Sequence, residues 1–487
     1  MDAETFRHFG HDVVDWVADY LREVEGYPVL SPVSPGEVRG KLPPSPPRAG
    51  EPMDVILGDF REIILPGITH WNHPRFFAYF PANNSGPSIL AELLSAGLGI
   101  NAMLWQTSPA ATELEELVMD WLRQMLGLPP GLHGVIQDTA STATLCALLC
   151  ARERASGLRI NAQGFSAWSS QVPLRAYASR EAHSSVEKGL KIAGFGAENL
   201  VLVSVDKGFG MDPQDLERRI EEDRERGFYP CCVTATVGTT SSTALDPLRP
   251  IGEIAQRHGL WFHVDAALAG SAAILPEKRW ILDGIELADS FVFNPHKWLF
   301  TNFDCSAFFC RDPEALTATF SILPEYLKTD LDRQVINFRD WGIQLGRRFR
   351  ALKLWFVIRY YGVEGLQEML RRHLDLAQEF KEWVEQSQDF ELLAPVPLNT
   401  ICFRFQPGKR SGNDLSPKEL ERLNKALLDE VNRSGKIYMT HTILGDTFCL
   451  RLSIGQTQTQ REHVVQAWEA IRGSQTVQSW QSLLGKR

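Results

Sequence analysis

Two residues of this chain have the types and the placement to do chemistry together. Asp265 closes the apolar run Trp261-Phe262-His263-Val264, and Lys297 follows the apolar run Ser290 to Phe293 within Asn294-Pro295-His296-Lys297-Trp298. Both runs have the length and composition of buried strands, so the two polar groups fall at corresponding strand ends, where open α/β sheets bind ligands. An arbitrary Asp and Lys would read more simply as an ion pair; emergence from two strongly apolar strands at the same end favours a working role. A lysine amine can hold a carbonyl cofactor as a Schiff base, and a carboxylate can keep a ring nitrogen protonated. Those are the two demands of pyridoxal phosphate, whose protonated ring accepts the electrons of a carbanion.

That cofactor also needs its phosphate anchored. Val135 to Thr144 reads as a strand entering a helix start, where small residues, backbone N–H groups and the helix dipole can meet an anion. Taken alone the segment is an ordinary Thr/Ser cap, with no glycine loop and with an Asp138 that would repel phosphate if it pointed inward. His183 precedes Ser184-Ser185-Val186-Glu187, whose spacing predicts a capping box with the imidazole just outside the helix.

These groups need a scaffold. From about residue 85 to 360, short apolar runs (Leu200–Val205, Cys232–Val237, Trp261–Val264, Ser290–Phe293) alternate with helical ones, which predicts a mostly parallel α/β sheet. Residues 1 to about 30 read as a helix with Phe6, Phe9, Val13, Val14, Trp16, Val17, Tyr20 and Leu21 on its apolar positions. The Pro-rich Ser31 to Pro52 then reads as an extended arm suited to a neighbouring surface. Beyond about residue 365, the helical run His373 to Gln386 and the strand-like Thr400–Phe405 and Phe448–Ile454 suggest a smaller α+β domain. The expected organisation is 1–84 as a helical arm and dimerisation segment, 85–365 as the large cofactor-binding domain, and 366–487 as the small domain.

At 487 residues and 44% hydrophobic, the chain can bury more than one core. Its formal net charge of −10 argues against nucleic acid or anionic membrane as a general partner. The mixed-charge amino end does not read as a secretory signal, so a cytoplasmic protein is expected. The uncharged Leu93 to Thr112 contains Asn101, Gln106 and Pro109, and reads as buried segments joined by a turn rather than a membrane span. The eight cysteines have neither metal-site nor disulfide-scaffold spacing and read as reduced core residues, and no metal site is expected. The basic run Arg347, Arg348, Arg350 and Lys353, interleaved with Phe349, Leu352, Trp355 and Phe356, reads as a solvated or intersubunit ion-pair face of a helix.

Separated motifs in a fixed order then point to a family. His73 to Pro81 (HPRFFAYFP), Ser108 to Glu115 (SPAATELE), Ala182-His183-Ser184-Ser185, His263 to Ala267, Asn294 to Trp298 and Leu345 to Arg350 together resemble the group II pyridoxal phosphate-dependent decarboxylases. Within that group the chain resembles the aromatic-L-amino-acid decarboxylases and their bacterial relatives. The resemblance implies the aspartate-aminotransferase-like fold (fold type I), a homodimer with active sites at the subunit interface, and an aromatic amino-acid substrate.

Position by position, it implies that Lys297 is the Schiff-base lysine, Asp265 pairs with the pyridine nitrogen, and His183 stacks on the ring. Ala140, Ser141, Asn294 and His296 match phosphate-side positions, and Thr240 matches a residue close to the cofactor. Tyr326, in Pro324-Glu325-Tyr326-Leu327-Lys328, matches a loop tyrosine that protonates the product carbon. Trp71, Tyr79, Phe80, Pro81 and Phe303 match the aromatic substrate pocket. Asp138, Leu268, Asn101 and Met103 depart from the animal pattern, the last two in the pocket. Gly346 stands where plant members use glycine for indole substrates, which favours tryptophan, with phenylalanine, tyrosine, dopa and 5-hydroxytryptophan as the other candidate substrates. The resemblance leaves two rival outcomes: an aromatic aldehyde synthase, which in this family goes with loss of the loop tyrosine or stacking histidine, and a catalytically silent binding protein. Lys297, Asp265, His183 and Tyr326 are all present.

Overall fold

A computed structural model describes residues 1–168, 172–322, 331, 334–407 and 415–484. The chain forms two compact units, one of Ala82–Asp375 with Ala394–Thr400, the other of Met1–Pro81, Leu376–Leu393 and Ile401–Arg487. The amino-terminal segment thus joins the carboxy-terminal one in a single body. Backbone bonds explain why: Val29 N–H donates to Gly435 O (2.9 Å) and Phe77 N–H to Tyr438 O (2.8 Å).

The larger unit is built on a seven-stranded sheet: β1 (His133–Gln137), β2 (Leu174–Ser179), β3 (Leu200–Val203), β4 (Tyr229–Thr236), β5 (Trp261–Asp265), β6 (Ser290–Phe293) and β7 (Ser306–Cys310). Their order is β1-β7-β6-β5-β4-β2-β3, with β7 antiparallel to both its neighbours and every other pair parallel. The expected mostly parallel sheet is therefore present. Apart from the edge strand β3, the parallel strands are buried along most of their length and covered by helices, which is why they read as continuous apolar runs. The helix Ala140–Ser156 packs small residues (Ala143, Cys146, Ala147, Ala151) into the sheet core. All eight cysteines are buried and unbridged, as expected of reduced core residues.

The smaller unit contains the antiparallel strands β8 (Phe390–Leu392), β9 (Thr400–Phe405), β10 (Thr440–Leu444) and β11 (Thr447–Ser453), in the order β10-β11-β9-β8. Its amino-terminal helix, Ala3–Glu23, is capped by Asp2, whose Oδ1 accepts the Thr5 N–H at 2.8 Å. The Pro-rich arm is not extended throughout: Glu37–Lys41 forms a short helix, and Ser31 bonds back to Pro66 O (3.1 Å) and Thr69 Oγ1 (3.2 Å).

Two expectations need correction. The uncharged stretch from Leu93 to Thr112 buries Ala102, Leu104, Ala111 and Thr112, but not its start: on the helix Gly86–Leu98, Leu90, Leu93, Leu94 and Leu98 form a stripe at i, i+3, i+4 and i+8, each at least half exposed. Nor is the basic run a solvated face. Arg347 is buried, donating to Glu115 Oε1 (2.5 Å) and Ile136 O (2.9 Å). Arg350 grips both oxygens of Asp304 (3.0 and 3.1 Å), and Lys353, 1% exposed, lies 3.0 Å from Glu92 Oε2. Of the four, only Arg348 is largely exposed, and it too reaches Glu92 and Asp304. No described helix is long and apolar enough to cross a membrane.

Candidate active site

The parallel strands bring their carboxyl ends to one edge of the large sheet, and the expected cofactor residues sit along it. His183 follows β2, Thr240 follows β4, Asp265 ends β5, and Asn294 to Lys297 follow β6. Asp265 pairs in register with Thr236 on one side and Val292 on the other, so its carboxylate is fixed between two central strands. It is buried, and its Oδ1 accepts the Ala267 N–H at 3.0 Å. Lys297 sits in the short helix Pro295–Trp298, pinned by its own N–H to Asn294 O (2.9 Å) and by Asn83 Nδ2 donating to its carbonyl (2.7 Å).

His183 is held differently from expectation. The Ser184 side chain makes no cap; instead the imidazole caps the helix, Nδ1 accepting the Ser185 N–H (3.2 Å) with Ser185 Oγ at 2.9 Å. A ring nitrogen that accepts from a backbone N–H carries no proton itself, so the neutral tautomer has its hydrogen on Nε2. Burial lowers the His183 pKa, Asp265 works against that, and Lys297 and Lys188 lower it further. His183 therefore stays a neutral flat ring whose electrostatic neighbours include both Asp265 and Lys297.

On the far side, Asn294 and His296 are both buried and oriented by β7. Ser306 Oγ donates to Asn294 Oδ1 (2.7 Å), which leaves the amide NH₂ to donate elsewhere. Cys305 N–H donates to His296 Nδ1 (2.9 Å), again directing the ring hydrogen to Nε2. Burial, with Lys297 adding to it, pushes the His296 pKa down to about 3. Phe303 lies 4.6 Å from the His296 ring, centroid to centroid, and is largely exposed.

At the carboxyl end of β1, Thr139 caps the helix Ala140–Ser156, its Oγ1 accepting from Thr142 N–H (3.4 Å). Ala140 and Ser141 occupy the first turn, where backbone N–H groups have no partner within the helix. Asp138 is turned toward its own chain, Oδ1 accepting the Thr139 N–H at 2.6 Å. Burial would lower the Arg350 pKa; Asp304 outweighs it, and the charge of Asp138 adds to the raise.

The donor set fits pyridoxal phosphate: an amine, a buried carboxylate for a ring nitrogen and a flat neutral imidazole. First-turn N–H groups, an amide and a ring N–H can meet a phosphate. Sequence reasoning missed Asn83, Ser306 and the Asp304 to Lys353 network. None of these has a local signal, because each partner is brought close only by the sheet. Asn101 Oδ1 accepts the Arg347 N–H (2.9 Å), and a Cβ on Gly346 would lie 3.6 Å from Asn101 Nδ2, so Asn101 and Gly346 are neighbours. Met103 Sδ is 3.7 Å from the same amide nitrogen. In the other unit Trp71 stacks on Tyr79 (5.7 Å), which contacts Tyr438. Tyr326 lies outside the described residues.

Residues 35–406 match the family model described as the pyridoxal-dependent decarboxylase conserved domain. Phenylacetaldehyde synthase of Arabidopsis thaliana is 45% identical over 482 residues, covering 97% of this chain and 96% of the relative. Tryptophan decarboxylase 2 of Oryza sativa subsp. japonica is 44% identical over 486 residues, covering 98% and 95%. The crystal structure of Oryza sativa TDC with PLP and tryptamine superposes with a TM-score of 0.94 at 38% identity, covering 99% of both chains. These relatives are plant proteins, where the sequence had pointed toward bacterial ones. The fold is fold type I, as expected.

The buried histidines set a pH dependence. Burial is the main cause that pushes His263 down to about 4, and His296 and His73 down to about 3, whereas an unfolded chain titrates near 6.5. Between those values the unfolded state binds more protons, so stability is full above about pH 6.5 and is lost as pH falls toward the folded values. Asp246, pushed up to about 7 by burial, works the opposite way over this range and offsets one of the three. The melting temperature, followed by differential scanning fluorimetry, is expected to fall steadily from pH 7 to pH 5. A flat profile over that range would contradict neutral burial of these rings.

Proposed function

We propose that this chain, which belongs to the pyridoxal-dependent decarboxylase family, converts an aromatic L-amino acid to its amine and CO₂ at the carboxyl edge of the large sheet. The observation that carries this reading is the convergence of Lys297, Asp265 and His183 on that edge, with His183 feeling the charges of both others. Pyridoxal phosphate, when bound, supplies the sink for the electron pair left as CO₂ departs.

The chain's own groups do the rest. Lys297 would offer the amine that holds the cofactor as a Schiff base. Asp265, fixed between β4 and β6, would keep a proton on the ring nitrogen, and the neutral imidazole of His183 would support the ring. The first-turn N–H groups of Ala140 and Ser141, together with Asn294 and His296, would hold the phosphate, with Thr240 on the same strand-end edge. Tyr326 returns a proton to the substrate α-carbon and so completes the amine. Trp71, Tyr79, Phe80, Pro81, Phe303, Asn101, Met103 and Gly346 contribute the surface for the aromatic side chain. Gly346, which adds no side chain beside Asn101, leaves room for an indole and favours tryptophan.

Aldehyde formation is the rival outcome, since phenylacetaldehyde synthase is among the relatives. It consumes one O₂ and one water and releases aldehyde, CO₂, ammonia and hydrogen peroxide. Retention of both His183 and Tyr326 favours the amine. The holoenzyme should be assayed with tryptophan, phenylalanine, tyrosine, dopa and 5-hydroxytryptophan, with histidine and glutamate as controls, reading CO₂, amine, aldehyde and peroxide together. Amine in step with CO₂ is expected, with loss of at least a thousandfold in Lys297→Ala and a rise in aldehyde and peroxide in Tyr326→Phe. Activity on histidine or glutamate alone sinks the aromatic assignment, and full amine yield without aldehyde in Tyr326→Phe sinks the role of Tyr326.

We also propose that the protein is a homodimer whose active sites are completed at the interface, in a reducing compartment such as the cytosol. The exposed leucine stripe of Gly86–Leu98 supports the first point, because a monomer rarely leaves an apolar helix face of this kind in water. The eight buried thiols support the second. Charging the stripe with Leu93→Glu and Leu94→Glu is expected to shift the protein from dimer to monomer by sedimentation velocity, with activity falling in parallel. A dimer of unchanged stability would argue against this surface.

A further inference from the structure

The strip Arg75 to Pro81 bonds to the chain just before β10 and to the end of β11. Tyr438 N–H donates to Arg75 O (3.2 Å), Phe77 N–H to Tyr438 O (2.8 Å), and Ser453 N–H to Phe77 O (2.9 Å). At Tyr79 the backbone leaves this pattern and turns left-handed, with a φ of 50°. That conformation costs a non-glycine residue on the order of 1 kcal/mol or more unless its surroundings hold it. Directly opposite each other across β10 and β11 stand Thr440 and Arg451. Thr440 Oγ1 accepts the Tyr79 N–H (3.4 Å), and Arg451 Nη1 donates to the Tyr79 carbonyl.

One cross-strand pair therefore grips both backbone polar groups of the same strained residue. Arg451, 3% exposed as a residue, also lays its guanidinium over the Phe80 ring at 4.7 Å. The Tyr79 ring is stacked against Trp71 at 5.7 Å, and its hydroxyl is 3.3 Å from that of Tyr438. Burial pushes the Arg451 pKa down to about 10, so the side chain remains charged at neutral pH.

We infer that Thr440 and Arg451 form a clamp on Tyr79 that fixes the direction of the Tyr79 and Phe80 side chains, which makes Arg451 a positioning residue for recognition of the substrate ring. The inference rests on the reading that Trp71, Tyr79, Phe80 and Pro81 supply aromatic surface to the substrate. Arg451 acts through the strip and takes no part in the bond-breaking step, so its removal should act on KM rather than kcat. A lysine at 451 keeps a charge but loses the planar fork that serves a carbonyl and a ring face together.

The test uses the holoenzyme and the variants Arg451→Lys and Thr440→Val. KM for tryptophan and phenylalanine is expected to rise about tenfold in the first and about threefold in the second, with kcat within about threefold of the parent and the cofactor's visible absorbance band unchanged. In a background carrying Tyr79→Ala and Phe80→Ala, adding Arg451→Lys should change KM less than twofold, since the groups it positions are gone. Amide hydrogen exchange over residues 77–81 should quicken about tenfold in both single variants, a readout that needs no substrate. If the parent binds cofactor yet decarboxylates no aromatic acid, the substrate reading fails while exchange still decides the clamp. Unchanged exchange together with unchanged KM in either folded variant overturns the inference, as does a fall in kcat or a loss of cofactor with KM unaltered. Should Arg451→Lys fail to fold, Thr440→Val, at a partly exposed position, carries the test alone.

Discussion

A buried carboxylate and a lysine placed at adjacent strand ends impose most of what the large unit does. An ionised Asp265 in a low-dielectric position is costly unless neighbouring dipoles and charges compensate it. The Ala267 N–H supplies one compensation, and the proximity of the Lys297 and His183 side chains places further polar groups in the same field. The pair is kept in place by strands: β5 and β6 run parallel in register through His263↔Ser290 and Asp265↔Val292, so Lys297, one turn beyond β6, has little freedom relative to Asp265. The reversed β7 then delivers Ser306 and the Cys305 N–H to Asn294 and His296 from the opposite direction.

The same edge shows how one residue type is given different work by its hydrogen-bond partners. His183 and His296 each accept a backbone N–H at Nδ1, which fixes the tautomer and opposes protonation, and burial pushes both the same way. A charged imidazole at either place would change the local balance around the amine and carboxylate. Neutrality is thus built in by main-chain donors, and those donors exist only because the loops after β2 and before β7 fold back on the rings.

Where signals were local, the sequence revealed the fold and the strand ends that carry the candidate site. The runs ending in Asp265 and preceding Asn294 are parallel strands because they are apolar on both faces, and the short turn after each leaves its polar residues at the carboxyl edge. Where partners are distant, it did not. Arg347 and Glu115 are 232 positions apart, so the basic run read as a solvated or intersubunit ion-pair face, although Arg347 closes over the buried Glu115 within the chain. Ser184 and Glu187 have capping-box spacing, yet the imidazole one residue earlier takes the cap. The leucines after Leu90 read as core because apolar periodicity reports that a helix face is apolar, and carries no information on whether the same chain covers it.

The basic cluster illustrates why a buried charge network belongs beside this site. Asp304 directly precedes Cys305, whose N–H fixes His296, and Arg350 holds both carboxylate oxygens of Asp304. Arg348 and Lys353 tie the same cluster to Glu92 on the helix that carries the exposed leucine stripe. Ion pairs of this kind gain little stability over apolar packing, because desolvation consumes most of the attraction. Their value lies in direction: each guanidinium or ammonium accepts only a narrow range of partner positions, so the loop carrying Phe303 and Asp304 cannot drift without breaking several contacts at once. The His296 ring, whose Nδ1 depends on that loop, inherits its rigidity from charges that never touch it.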